Sequence, residues 1–136
     1  MCLLDAVEQW DQTGITCRTS THRDDRNPLR RGQALEAICG LEYAAQAMAV
    51  HVGLVEGRKD REGVGYLGSV KRLILRVERL DQWSGDLTVR AERVFGQEES
   101  FIYTFLISAQ DRKLLEGQAS IFLKPAPSNV PREPRS

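Results

Sequence analysis

The stretch Ala34-Leu35-Glu36-Ala37-Ile38-Cys39-Gly40-Leu41-Glu42-Tyr43-Ala44-Ala45-Gln46-Ala47-Met48-Ala49-Val50-His51-Val52 decides the architecture. Alanine, leucine, glutamate, glutamine and methionine dominate it and no proline interrupts it, so it predicts a helix from Ala34 to about Val52. Gly40 lowers the propensity only slightly. A turn of about 100° per residue gathers Leu35, Ile38, Cys39, Ala45 and Ala49 around one direction and sets Gly40, Ala44 and Ala47 opposite. A surface helix carries a broad charged face; this one is small and apolar even at its back. It therefore reads as buried on most sides, with alanine and glycine letting a sheet or subunit come close.

On the N-terminal side, Leu3–Trp10 and Gly14–Ser20 read as two strands, the second with Ile15, Cys17 and Thr19 alternating against Thr16, Arg18 and Ser20. Residues 21–33 turn polar and arginine-rich, with Asn27-Pro28 and Gly32 as breaks, and read as a loop. On the C-terminal side, Gly53, Gly57, Gly63 and Gly65 punctuate a charged connection through Arg58, Lys59, Asp60 and Arg61. Beyond Tyr66 the period becomes alternating, which predicts strands near 66–80, 86–95, 100–109 and 113–123. In the third of these Phe101, Tyr103, Phe105 and Ile107 share one face. One long helix among five or six antiparallel strands is an α+β arrangement in which a curved sheet wraps the helix. Residues 1–123 form one domain in this reading, and the proline-rich residues 124–136 form a disordered or extended tail.

The chain has 136 residues, the size of one domain, and 41% of them are hydrophobic, enough for a packed core. Nineteen basic and nineteen acidic side chains cancel, so no global field gathers nucleic acid or coats an anionic membrane. No stretch approaches the roughly 18 continuous apolar residues of a bilayer span, and the N-terminus lacks the pattern of a secretory signal. The expected location is the cytoplasm, with Cys2, Cys17 and Cys39 as free thiols.

Glu42 falls in the middle of the Leu35, Ile38, Ala45 and Ala49 stripe, and Gln46 shares its face one turn later. A carboxylate buried without a partner is costly, and the usual escape is to keep its proton, which makes it an acid. An arginine partner, or an outlet to water, would explain Glu42 equally well. His22, at the end of the second strand, is a candidate base if it faces a site and a solvated loop residue otherwise. Arg18, Arg23, Arg26, Arg30 and Arg31 crowd the same loop against only Asp24 and Asp25. His51 projects opposite Glu42 and reads as a packed or helix-end histidine. Cys17, His22, Cys39 and His51 form no recognisable metal-ligand set.

Taken together, Leu3-Leu4-Asp5-Ala6-Val7, the strand leading to His22, the run Gly40–Ala49 and the later strands resemble the 3-hydroxyacyl-carrier-protein dehydratases of the hotdog fold over residues 1–123. More narrowly they resemble the small dehydratases of aryl polyene biosynthesis. The resemblance implies dimers with a site at the subunit interface, His22 and Glu42 as catalytic residues, and Gln46 as a substrate-binding residue. It turns the arginine cluster, Arg23, Arg26, Arg30 and Arg31, into a docking surface for an acyl carrier protein. It implies no metal and no cofactor beyond the carrier's phosphopantetheine. Two departures stand out: the spacing from His22 to Glu42 is longer than in the enzymes of fatty acid synthesis, and Ala37 replaces the glycine five positions before the carboxylate.

Such a dehydratase needs a base for the C2 proton, which suits a neutral imidazole, and an acid for the departing C3 hydroxyl. Amides near residues 34–38 would meet the charge on the thioester oxygen. The alternatives are a hotdog thioesterase, in which Glu42 activates water, and a non-catalytic subunit that completes a heterodimer.

Overall fold

A computed structural model describes residues 2–57 and 63–125. Six strands, β1 (Ala6–Trp10), β2 (Gly14–Thr19), β3 (Gly63–Leu75), β4 (Leu87–Gln97), β5 (Ser100–Ala109) and β6 (Arg112–Pro125), accompany one long helix, α1 (Gly40–Glu56). The strands form a single sheet in the order β1-β2-β4-β5-β6-β3, and each pairing is antiparallel. β1 and β3 are its edges. Lys124 and Pro125, expected to open the tail, instead close β6; residues 126–136, and the charged connection at 58–62, lie outside the described residues.

The alternation in β5 is as read: Phe101, Tyr103, Phe105, Ile107 and Ala109 are buried and their neighbours are not. Against this face lie Tyr43, Ala44, Ala47, Met48 and Val52 of α1. Ala37–Glu56 is long and apolar enough by composition to cross a bilayer. Here its contacts with β2, β3, β4, β5 and β6 account for that apolarity. Gly40 shows why small residues sit on this side, since a Cβ there would come within 2.8 Å of Leu115.

The helix begins later than expected. Ala34–Glu36 are extended, and a 3₁₀ turn over Ala37–Cys39 precedes α1. Backbone bonds compete with the helix: Leu80 donates to Leu35 O (2.8 Å), Ala37 to Glu78 O (2.9 Å), and Leu35 to the Asp81 carboxylate (2.8 Å). Residues 76–80, read as the end of a strand, are this strap along the helix entry. At its other end α1 outlasts Val52 and stops at Gly57, whose φ of 70° is the left-handed cap that favours glycine.

Gly14 supplies a test of the ladder. A Cβ there would lie 2.8 Å from the backbone oxygen of Ala91, next to Ile15↔Ala91 in the β2–β4 pairing. Gly14→Ala is expected to cost about 1–3 kcal/mol through overpacking against an atom that cannot retreat. Urea denaturation checks it, and an unchanged midpoint would contradict the close approach.

Candidate functional site

His22 lies in a 3₁₀ turn, Thr21–Arg23, that follows β2, and it is fully buried rather than a solvated loop residue. Its Nε2 is 2.8 Å from Trp83 O. A carbonyl only accepts, so Nε2 carries the proton and a neutral ring leaves the lone pair on Nδ1. That Nδ1 is buried and has no hydrogen-bond partner among the described residues. Burial lowers the His22 pKa, helped by Arg23 and opposed by the carbonyls of Trp83 and Gly85 and by Asp86.

His51 provides the contrast. It too is fully buried, with its pKa lowered by burial, but Nε2 donates to Asp11 O (2.7 Å) and Nδ1 accepts from the Tyr103 hydroxyl (2.6 Å). Both nitrogens are used, as a packed histidine requires.

A buried polar network positions His22. The Leu3 carbonyl accepts from the Thr19 hydroxyl and from that of Thr21 (2.7 Å). With the single Thr21 proton assigned there, the Tyr43 hydroxyl donates to Thr21 Oγ1 (2.9 Å) and accepts from Asn27 Nδ2 (2.9 Å). Gln46 joins at the same point, its Oε1 accepting from Leu3 N–H (2.8 Å). The expected substrate-binding glutamine thus anchors the N-terminal segment to α1. Burial raises the pKa of Tyr43 against its bonds with Thr21 and Asn27, keeping it a neutral phenol.

Glu42 is corrected. The buried face of α1 is Gly40, Tyr43, Ala44, Ala47, Met48, His51 and Val52, and Glu42 is exposed, as is Ile38 one turn earlier. The expected stripe is split: Leu35 is in the core, Ala45 and Ala49 are half-buried, and Ile38 and Glu42 face outward. An apolar cover for the carboxyl is therefore not supplied by this chain alone. The amides expected to stabilise a thioester oxygen are also largely taken: Ala34 donates to Arg31 O, Leu35 to Asp81 and Ala37 to Glu78 O. Asp81 is felt from both sides, burial pushing its carboxyl up while Arg79 and the Leu35 amide hold it below the usual range.

The arginine cluster is largely engaged within the fold. Arg23 pairs with Asp86 (3.5 Å) and Arg26 with Asp24 (3.2 Å), while Arg31 stands 4.0 Å from Glu36. Arg30 donates to the carbonyls of Asp24, Gln33 and His22. These contacts tie the loop together, while the Arg26 and Arg31 side chains stay largely exposed. All three cysteines are free thiols; burial raises Cys17 to about 11 and also raises Cys39, so neither is a ready thiolate.

Sequence reasoning missed Tyr43, Asn27 and Trp83. The first two carry ordinary polar groups whose partners come from distant segments, and Trp83 acts on His22 through its backbone, which no side-chain pattern reports.

Comparison with known proteins then decides the family. The family model for ApeP-like proteins, described as ApeP dehydratase, matches residues 1–131. The chain belongs to that family. Among solved structures, the dehydratase heterocomplex ApeI:P from Xenorhabdus doucetiae superposes with a TM-score of 0.77 at 18% identity, over 93% of this chain and 84% of that one. A thioesterase variant from Pseudomonas aeruginosa follows at 0.62 and 13% identity, over 88% and 80% of the two chains. AziG from S. sahachiroi gives 0.61 and 15% over 86% and 88%. Among curated proteins none matches the chain. These likenesses establish the hotdog fold for this ApeP-like protein, and its family is one of dehydratases.

Proposed function

We propose that the protein is a subunit of a dehydratase that converts 3-hydroxyacyl thioesters on an acyl carrier protein to trans-2-enoyl thioesters, in the cytoplasm and in polyene or fatty-acid-like biosynthesis. The observation that carries this reading is the difference between the two buried histidines. His51 uses both nitrogens, whereas His22 has one fixed on Trp83 O and the basic one buried without a partner among the described residues. A neutral imidazole held in one tautomer, with a free lone pair, is what a base requires.

In this mechanism His22 Nδ1 takes the proton from C2 while the C2–H electrons form the C2=C3 double bond. The C3–O bond breaks, and Glu42 gives its proton to the departing hydroxyl, which leaves as water. The proton on His22 then returns to the Glu42 carboxylate through solvent, restoring both groups. Neither a metal nor an organic cofactor enters these steps. Glu42 is uncovered in the single chain and His22 is sealed, so the working site needs a second hotdog subunit, identical or not, to cover the outward face of α1.

Exposure of Glu42 favours a second reading. A solvent-facing carboxylate on a hotdog helix is suited to activating water, and thioesterases are among the proteins of similar fold. Product analysis separates the two. A 3-hydroxyacyl carrier thioester, given to the chain alone and with a second hotdog subunit, is expected to yield the enoyl thioester, and Glu42→Gln to slow that by about 10²–10⁴-fold. Release of free acid would establish the thioesterase instead. Turnover that appears only with the partner and ignores Glu42→Gln would make this chain a scaffold.

A further inference from the structure

The loop that carries His22 is a string of short turns. Arg23 donates to Ser20 O (3.1 Å), Asp24 to Thr21 O (3.1 Å), Asn27 to Asp24 O (3.0 Å) and Arg30 to Asn27 O (3.1 Å), while Arg31 and Ala34 bond each other. Each of these bonds spans three residues. Such turns set their own local shape and leave the placement of one turn against the next to side chains.

Two side chains supply that placement. Asn27 Nδ2 donates to Thr21 O (2.9 Å) and ties the middle of the loop to its start. Arg30, half-buried, reaches further: Nε donates to Asp24 O (2.9 Å), Nη1 to Gln33 O (2.6 Å) and Nη2 to His22 O (3.2 Å). Every nitrogen of the guanidinium is taken by a different carbonyl, so one planar group joins the first turn of the loop to its last residues. Only arginine offers that fork, since a lysine ammonium has a single nitrogen. Bonds from a charged donor are also stronger than those between neutral groups.

His22 is thereby held at two points. Trp83 O fixes the ring at Nε2, and Arg30 fixes the main chain at the carbonyl. With both ends of the residue held, the side-chain torsions that aim Nδ1 have little room. The Trp83 contact alone would leave the ring to follow a shifting main chain.

Resting on the dehydratase reading, we propose that Arg30 is a positioning residue for His22: its guanidinium clamps the carbonyls of His22, Asp24 and Gln33, and so fixes where the imidazole meets the substrate proton. Its part is in orienting the base rather than in docking the carrier protein, because none of its three nitrogens is left over for an outside anion. Arg26 and Arg31, in the same loop, differ: their side chains are largely exposed and neither bonds the His22 main chain.

Imidazole nitrogen NMR tests the clamp without turnover, because the chain has two histidines and His51 serves as the control. In Arg30→Gln the His22 resonances are expected to broaden or move toward the average of the two tautomers, while those of His51 stay in place. Arg26→Gln removes the same charge from the same loop and should leave the His22 resonances unmoved. Turnover is measured in whichever assembly is active, the chain alone or with a second hotdog subunit. There Arg30→Gln is expected to lower kcat by about 10–10²-fold and to hold KM for the carrier-bound thioester within about twofold. Arg30→Lys keeps the charge and loses the fork, so it should not restore kcat; it also carries the same readings if Arg30→Gln does not fold. Unmoved His22 resonances in a folded Arg30 variant overturn the proposal, as do full rescue by lysine, an equal response to Arg26→Gln, or a rise in KM with kcat intact. If the parent forms no enoyl thioester while the resonances respond as expected, the dehydratase reading fails and the clamp stands.

Discussion

Replacing His22 with alanine is expected to lower dehydration of a carrier-bound 3-hydroxyacyl thioester by about 10²–10⁴-fold, the usual worth of a positioned general base. Binding should change far less, because the ring has no open edge to solvent. A glutamine at position 22 can keep a donor on Trp83 O without supplying a base, so His22→Gln should retain fold while losing turnover. If His22→Gln is as active as the parent, the base is elsewhere and His22 is a packing residue like His51.

The pH dependence follows from the same geometry. Burial lowers the His22 pKa from its ordinary 6.5, so the neutral, basic form persists into mildly acidic solution. The acid limb of kcat/KM is expected below 6.5 and should vanish in His22→Gln. Stability carries the matching sign. The folded pKa values of both His22 and His51 are below the unfolded value of 6.5, so below that pH the unfolded chain binds protons that the folded chain refuses. Stability therefore falls as pH drops through that value and is fully present above it.

The strand half of the fold was legible because a two-residue period against a single core leaves a sharp mark: Phe101, Tyr103, Phe105 and Ile107 could face only one way. The helix was legible as a helix but not in its orientation. Ile38, Ala45 and Ala49 make as convincing a stripe with Leu35 as the true core face does, because alanine and glycine populate both sides, because two core-facing residues, Tyr43 and His51, are polar, and because Leu35 reaches the core from an extended segment rather than from the helix. Their partners, Thr21 and Asn27 for one and Tyr103 and Asp11 for the other, are far away in sequence, so nothing local announces that their polar atoms are satisfied. The start of α1 was misplaced for a similar reason: the backbone of Ala34–Ala37 bonds to Glu78–Asp81, and that competition is tertiary. The arginine loop shows the limit of counting charge, since composition reports five cations and the fold consumes most of them.

Tyr43 is where fold and site are joined, and its removal should have the largest structural effect. Its hydroxyl holds Thr21 and Asn27, and Thr21 immediately precedes His22. Tyr43→Phe keeps the ring in the core and deletes one oxygen, leaving the Asn27 Nδ2 with only its bond to Thr21 O. A cost of about 1–3 kcal/mol is expected for a buried polar group losing its partner. Tyr43→Ala adds the cavity of a fully buried ring and should cost about 3–5 kcal/mol. Chemical denaturation of Tyr43→Phe, Thr21→Val and the double variant forms a cycle, and a coupling of at least about 0.5 kcal/mol is expected because the two hydroxyls share one bond. Additive losses would mean that the 2.9 Å contact contributes nothing. A positioning role makes one further demand that a purely structural one does not: Tyr43→Phe should shift the acid limb of kcat/KM while the fold is intact, since loosening Thr21 lets solvent reach the His22 ring and returns its pKa toward the ordinary value. An unmoved limb in a folded Tyr43→Phe enzyme would confine Tyr43 to the core.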